Sequence, residues 1–248
     1  MSKPFTKADC LIPDWPAPDR VKALVTTRHG GVSNPPFQSM NLGDHVGDLP
    51  NTVLENRLRL RTLLPSDPCW LQQVHGTTVA HADMEHTQPP TADASVARQA
   101  GSVCVVMTAD CLPVLLCDQA GTVVGAAHAG WRGLLNGVIE ATVTAMQAHP
   151  ETLMAWLGPA IGPDAFEVGS EVQAAFVQSD PNAAVAFAAI PDDKYLADIY
   201  QLAKIRLNRL GVQHVYGGDF CTVVERDRFF SYRRNGQTGR MASLVWLA

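Results

Sequence analysis

The sequence predicts an α+β fold of mixed β-sheets flanked by helices, in a single domain spanning residues 1–248. Three observations predict it. Strand-like runs outnumber helical ones along the chain. The strands read as unbroken apolar stretches, such as Ser102-Val-Cys-Val-Val-Met and Val114-Leu-Leu-Cys, the pattern of sheets covered on both faces. The 248 residues are 46% hydrophobic and only 17% charged, against roughly 25% charged in an average soluble domain. A chain of this length buries about three-quarters of its unfolded surface and needs no disulfide staples.

The elements follow in order. Residues 21–27 (Val-Lys-Ala-Leu-Val-Thr-Thr) read as an early strand, and Arg28-His-Gly-Gly-Val-Ser-Asn-Pro-Pro as loop. Pro50 opens a helix running to about residue 64 and stopped by Pro65, with Val53, Leu54 and Leu58 on its buried face. Thr87-Gln-Pro-Pro-Thr is loop. A strand over 102–107 gives way to the polar break Thr108-Ala-Asp-Cys-Leu-Pro, and strand resumes over 114–117. Gly121 marks a turn, and a third strand over 122–127 ends at His128-Ala-Gly-Trp-Arg-Gly. A helix over about 134–148 places Leu134, Leu135, Val138, Val143 and Met146 near one face, and Pro150 ends it. Residues 153–157 read as strand, followed by the loop Gly158-Pro-Ala-Ile-Gly-Pro. An amphipathic helix over 195–210 carries Leu196, Ile199, Tyr200, Ala203, Leu207 and Leu210, with Gly211 at its C-terminal cap. Strands near 212–216 and 242–246 close the chain, and no internal repeat or low-complexity tract is present.

Several function classes are excluded. The net charge of −5, from 19 basic and 24 acidic residues, offers no basic face for nucleic acid. The start of the chain lacks the apolar core of an export signal. The longest apolar run, 102–117, is interrupted by Asp110 and Pro113 and is too short to span a membrane. Six cysteines lie scattered with no C-x-x-C pair, so reduced thiols in the cytoplasm are expected, and a special cysteine should be a ligand or a nucleophile.

Three residues stand at breaks in the buried strands, where a side chain can face a cleft. They are His75 in Gln72-Gln-Val-His-Gly, Cys111 in Thr108-Ala-Asp-Cys, and His128 in His128-Ala-Gly-Trp-Arg-Gly. Each alone also reads blandly, the cysteine as a small core hydrophobe and either histidine as a loop residue bonded to backbone. The Gly130-Trp-Arg-Gly turn lies between a strand and a helix, where free N–H groups, the helix dipole and Arg132 can point at an anion. An ordinary tight turn fits the same residues. Arg28, Arg233, Arg234 and Arg240 could add charge to such a pocket or lie solvated on the surface.

Taken together, the motifs carry a resemblance. They are Thr26-Thr-Arg-His-Gly-Gly-Val-Ser, Met40-Asn-Leu-Gly-Asp-His-Val-Gly-Asp, Gln72-Gln-Val-His-Gly, Ala92-Asp-Ala, Thr108-Ala-Asp-Cys-Leu-Pro, His128-Ala-Gly-Trp-Arg-Gly, Gly158-Pro-Ala-Ile-Gly, Phe229-Phe-Ser-Tyr-Arg-Arg and Thr238-Gly-Arg-Met-Ala. In this order, over nearly the whole chain, they resemble the YfiH-type family. That family was labelled laccase domain or multicopper polyphenol oxidase, and later described as purine nucleoside phosphorylases with adenosine deaminase activity. The resemblance implies an α+β fold and a catalytic zinc held by His75, Cys111 and His128, with copper able to take the same donors. Three protein ligands and an open fourth position make the catalytic pattern of zinc. The implied reactions are phosphorolysis of adenosine, inosine and methylthioadenosine to free base and ribose 1-phosphate, together with adenosine deamination. Asp93 and Asp110 are the candidate proton shuttles, and Asp110 could alternatively hold a histidine tautomer. Arg28, Gly130, Arg132 and Gly133 are the expected phosphate cradle, with Arg132 also counted as catalytic. The expected partners are purine nucleosides and phosphate, without nucleic acid or membrane, and the expected state is a monomer or weak dimer.

The chain departs from the family at two places. Ala165-Phe-Glu-Val-Gly stands where Cys-Tyr-Glu-Val-Gly is usual, and Val224-Glu225 where Cys-Asp is usual. Three rivals stand beside the nucleoside reading. A multicopper oxidase would need His-x-His pairs, and no two of the eight histidines are separated by one residue. A hydrolase editing peptidoglycan precursors would use Cys111 as a nucleophile activated by His75 or His128. A non-catalytic metal-dependent binding module would use the donors alone.

Overall fold

Successive side chains of a strand point to opposite faces of its sheet, so an unbroken apolar strand needs cover on both sides. The computed structural model, which describes residues 4–248, supplies that cover in four layers. In the Leu112–Asp118 strand, Leu115 and Cys117 meet Val25, Val106 and Val245 of a second sheet, while Val114 and Leu116 meet Val138, Ile139, Leu202 and Leu207 of helices. The Val103–Thr108 strand turns Cys104 and Val106 to the sandwich interior and Val103, Val105 and Met107 outward, where Leu60 packs with them.

One sheet has five strands in the order Cys10–Leu11, Val21–Thr26, Met241–Leu247, Val103–Thr108, Pro68–Cys69. The other has six, in the order His214–Gly217, Leu153–Leu157, Leu112–Asp118, Val124–Ala129, Ala94–Ala97, Val79–His81. Both mix parallel and antiparallel pairs, as the α+β reading requires. A small third sheet joins Glu167–Gly169, Lys194–Ala197 and Phe187–Ile190.

Several boundaries differ from the sequence reading, each for a local reason. The first helix is Pro50–Arg61, and it buries Val53, Asn56 and Leu60 while Leu54 and Leu58 remain 56% and 55% exposed. Asn56 took the inward position because its amide donates to Ser33 Oγ, Ser39 O and Asn41 O, tying down the preceding loop. The helix expected over 134–148 is two helices, Trp131–Asn136 and Val138–Ala145, divided by Gly137 at φ 99°. The helix expected over 195–210 begins at Ile199, where the Asp198 carboxylate accepts from Gln201 N–H at 2.9 Å. Residues ahead of that cap pair as strand instead.

The strand register positions the site. Leu112 pairs with Ala129 and Pro113 with His128. The polar break is therefore only 109–111, and His128 lies within its strand, not beyond it. The start of one strand and the end of its antiparallel neighbour thus share one edge, which carries Cys111 to His128.

Candidate metal centre

The third donor arrives by a different route. His75 sits in a turn, at φ 61°, between Gln72, which bridges Thr91, and the Val79–His81 strand. Asp93 fixes that turn. Its carboxylate accepts from the N–H groups of Val74 (3.1 Å), His75 (2.8 Å) and Gly76 (2.7 Å), and from His128 Nδ1 (2.8 Å). Its own carbonyl accepts from His128 N–H at 2.7 Å. One fully buried carboxylate therefore fixes the backbone turn that carries His75 and the ring of His128, leaving His128 Nε2 as the donor.

The ligand atoms of His75, Cys111 and His128 all lie within 4.8 Å of one another, the single such group of three or more His, Cys, Asp and Glu among the described residues. Cys111 Sγ is 3.8 Å from His75 Nε2. Bonds of 2.0–2.3 Å at tetrahedral angles would hold donors roughly 3.3–3.7 Å apart, so the trio needs only a small contraction to hold one ion. The donor set, one thiolate and two imidazoles, suits zinc or copper.

The electrostatics single out Cys111. Burial raises the thiols of Cys10, Cys69 and Cys117 to about 12, 11 and 12, and Cys104 further still. Desolvation pushes the Cys111 thiol up as well, but the charge and hydrogen bond of His128 and the hydrogen bond from His75 outweigh it and bring the thiol down to about 6. His128 moves the opposite way. Desolvation lowers it, yet the Cys111 thiolate and the Asp93 carboxylate raise it to about 9. In Asp93 itself the desolvation cost is overcome by the bonds from His128, Gly76 and Val74, which hold its carboxyl below the usual range.

A cavity of about 530 Å³ opens over the three donors, within the usual size of small-molecule sites. Trp131, Phe166 and Tyr232 give it aromatic walls, and Arg132, Arg233 and Arg240 give it charge. Gln73, whose amide grips the backbone of Met107 at 2.9 and 2.7 Å, and His45 also line it. The sequence assigns no role to His45, Gln73, Trp131 or Tyr232, although all four lie in the motifs quoted above, and Phe166 stands in the Ala165-Phe-Glu-Val-Gly segment that departs from the family pattern.

The other expected residues divide. Asp110 lines the cavity at φ 92°, accepting from Thr222 Oγ1 and Arg233 N–H, both at 2.6 Å. It does not hold a histidine; Asp93 does. Asp93 is 0% exposed and fully engaged, so it stands beneath the donors and not in the cavity. Arg28 is turned away, its guanidinium donating to Gln38 O and Arg226 O and stacking on Phe230. Arg234 is spent on the carbonyls of Thr222, Val223 and Phe229. Arg132 reaches the cavity mouth, its guanidinium 4.3 Å from the Trp131 ring centre. Gly130 caps a helix of six residues, and a Cβ there would stand 2.8 Å from His75 Cδ2 and 3.0 Å from Cys111 Sγ. Gly133 lets the same helix approach the carbonyl of Gly76, at 3.2 Å from where its Cβ would be. The close approach of the donors thus accounts for both glycines without an anion.

Comparison with known proteins bears on what this cavity does. Residues 22–248 match the family described as multi-copper polyphenol oxidoreductase laccase. The Escherichia coli protein named purine nucleoside phosphorylase YfiH is 56% identical over 239 residues, covering 96% of this chain and 98% of that one. A Pseudomonas aeruginosa protein, also named purine nucleoside phosphorylase, is 56% identical over 238 residues with the same coverage. A crystal structure of a Neisseria meningitidis protein superposes with a TM-score of 0.93 at 56% identity, covering 96% of this chain and 99% of that one. YlmD from Geobacillus stearothermophilus superposes with a TM-score of 0.85 at 31% identity, covering 92% of each. No helix among the described residues is long and apolar enough to cross a membrane.

Proposed function

The chain belongs to the multi-copper polyphenol oxidoreductase laccase family, and on that premise we propose that it is a zinc-dependent purine nucleoside enzyme. It cleaves adenosine, inosine and methylthioadenosine with phosphate, and it deaminates adenosine. The observation that carries this reading is the coincidence of three soft and borderline donors with a cavity of aromatic and cationic walls. The names of its 56%-identical relatives support the substrate class.

Zinc held by His75, Cys111 and His128 would supply Lewis acidity beside the bound nucleoside. Asp93 keeps His128 protonated at Nδ1, so that Nε2 is the donor. Trp131, Phe166 and Tyr232 offer faces and edges on which a purine can rest. Phe166, standing where the family more often has tyrosine, makes its part of that wall apolar. Asp110 is the carboxylate at the cavity wall, and Thr222 and Arg233 hold both its oxygens in place while it exchanges a proton with substrate. In phosphorolysis a phosphate oxygen bonds to C1′ as the bond from C1′ to the base nitrogen breaks, and the departing base takes up a proton. In deamination water adds at C6 and ammonia leaves. Arg132 at the mouth adds positive potential that draws phosphate in.

The oxidoreductase label of the family finds a simple source in the same donors. Copper binds nitrogen and sulfur sites more tightly than zinc, so copper in this single site would produce adventitious redox chemistry.

The test is product analysis by chromatography, with phosphate and metal varied independently. Zinc-loaded protein should release hypoxanthine and ribose 1-phosphate from inosine only when phosphate is present. His75→Ala should lose both the ion and the activity. Absence of free base, ribose 1-phosphate and ammonia from every purine nucleoside would overturn the reading.

A further inference from the structure

Phosphorolysis needs a fixed seat for phosphate, and the arginines of the cavity differ in how much donor capacity they have left. Arg233 spends Nη1 and Nη2 on the carbonyls of Ala165 (3.4 Å) and Glu167 (3.0 Å). Arg132 is exposed to solvent at the mouth and stacked on Trp131, where salt screens its charge. Arg240 is different. It is half-buried against the cavity, and Nη1 donates to the carbonyls of Thr238 (3.0 Å) and Gly239 (3.1 Å). Its Nε and Nη2 have no partner, and no carboxylate pairs with it, among the described residues. It lines the same cavity as Cys111 and Asp110, and burial depresses its pKa against the opposing pull of those two groups. A desolvated guanidinium with two free donor directions and no carboxylate is an anion site awaiting its anion.

This arginine is built in. Asn41, fully buried, accepts from Arg240 N–H and from Gly43 N–H, both at 2.9 Å, and donates to Gly43 O and Asp48 Oδ2, both at 3.0 Å. Gly43 is required, because a Cβ there would stand 2.8 Å from Arg240 Cγ. The loop that Asn41 shapes in this way carries His45 to the same cavity. His45 and Arg240 line the same cavity, desolvation and then the charge of Arg240 lower the His45 pKa, and Asp44 steadies His45 Nδ1 from 3.5 Å. The Nε2 of His45, which lines that cavity, has no hydrogen-bond partner among the described residues. The motifs Met40-Asn-Leu-Gly-Asp-His and Thr238-Gly-Arg-Met-Ala, otherwise without a role in the chemistry, meet at this point.

We infer that Arg240 and His45 form the phosphate subsite of the cavity, taking free inorganic phosphate in preference to the phosphate of a nucleotide. The inference rests on the nucleoside-and-phosphate reading above, and the experiment separates the two. Calorimetric titration of zinc-loaded protein with inorganic phosphate should give a saturable site. Arg240→Gln and His45→Gln should each weaken it at least tenfold at unchanged zinc content, Arg240→Lys should recover part of the loss, and Arg132→Ala should weaken it less than either glutamine variant. In steady-state phosphorolysis of inosine, the same two glutamine variants should raise the KM for phosphate at least tenfold more than the KM for inosine. His45 is 56% exposed at its side chain, so His45→Gln tests the subsite even where Arg240→Gln folds poorly. Unchanged phosphate affinity in both glutamine variants, or loss of it on Arg132→Ala alone, would overturn the subsite. So would Arg240-dependent binding of adenosine 5′-monophosphate by protein that ignores inorganic phosphate. Phosphate binding that depends on Arg240, in protein that cleaves no nucleoside, would leave the subsite standing and remove the enzymatic reading. Phosphate-dependent cleavage that is indifferent to both residues would do the reverse.

Discussion

Replacing Asp93 with asparagine changes one oxygen to an NH2 group at the point where both histidines are held. The carboxylate receives four donors: Oδ2 takes Val74 N–H and Gly76 N–H, and Oδ1 takes His75 N–H and His128 Nδ1. An asparagine can satisfy only one of these pairs with its single oxygen. With the amide nitrogen toward Val74 and Gly76, two backbone donors lose their acceptor, at roughly 1–3 kcal/mol each. With the nitrogen toward His128, the imidazole must accept at Nδ1 and carry its proton on Nε2, the atom that would ligate. Either orientation is costly. The expected loss is therefore about 2–6 kcal/mol of stability, which at about 2–4 °C per kcal/mol for a domain of this size is roughly 4–24 °C in Tm. Zinc affinity should also fall, by about 10–100-fold as for other partners of ligating histidines. Scanning calorimetry on metal-free protein and competition titration with a chromophoric zinc chelator measure the two separately. A variant that melts within 2 °C of wild type and binds zinc with undiminished affinity would refute the claim that Asp93 organises the site.

Three further outcomes follow from the same geometry. In metal-free protein the Cys111 thiol should react with iodoacetamide along a pH profile centred near 6, and zinc should suppress the reaction; a midpoint near 9.0, the ordinary value, would remove the thiolate–imidazolium pair. The signs of the linked stability are opposite for the two partners. His128, raised from 6.5 to about 9, contributes below 6.5 and loses that contribution as pH rises through 9, whereas Cys111, lowered from 9.0 to about 6, contributes above 9.0 and loses it as pH falls through 6. Between about pH 6.5 and 9 the two contributions change in opposite directions and nearly cancel, so this pair should leave the stability of the metal-free protein almost flat in chemical denaturation across that range, and a steep slope there would refute the pairing. Gly130→Ala should leave the fold intact but weaken zinc binding by tenfold or more, since the new Cβ meets His75 Cδ2 at 2.8 Å and Cys111 Sγ at 3.0 Å; equilibrium dialysis with zinc, alongside circular dichroism, reads both quantities.

The candidate donors were legible through the motifs that hold them: taken singly, His75, Cys111 and His128 also read as core or loop residues, and it is the ordered motifs that join them by resemblance. The order of the elements and the sheets covered on both faces were legible from local pattern, since runs such as 103–107 contain no polar position to offer to water. The first helix was harder. Its apolar residues Leu54 and Leu58 point to solvent, and polar Asn56 points inward, because the loop packed against it demands hydrogen bonds. The single helix expected over 134–148 failed at Gly137, where a residue tolerated inside a helix instead adopts a left-handed turn.

The charged residues were the least legible. Arg28, Arg234 and Arg240 are chemically equal in a sequence, yet two are consumed by backbone carbonyls and one keeps donors free beside the cavity. Asp93 and Asp110 likewise look interchangeable, but one lies fully buried beneath the histidines and the other on the cavity wall. The sequence by itself determined which side chains could bind a metal and which segments had to be buried, since both follow from side-chain chemistry and from local periodicity. Only the tertiary structure decided which carboxylate orients the ligands and which guanidinium faces the cavity. Those assignments depend on hydrogen-bond partners contributed by segments remote in sequence, and partners of that kind leave no trace in the spacing of residues along the chain.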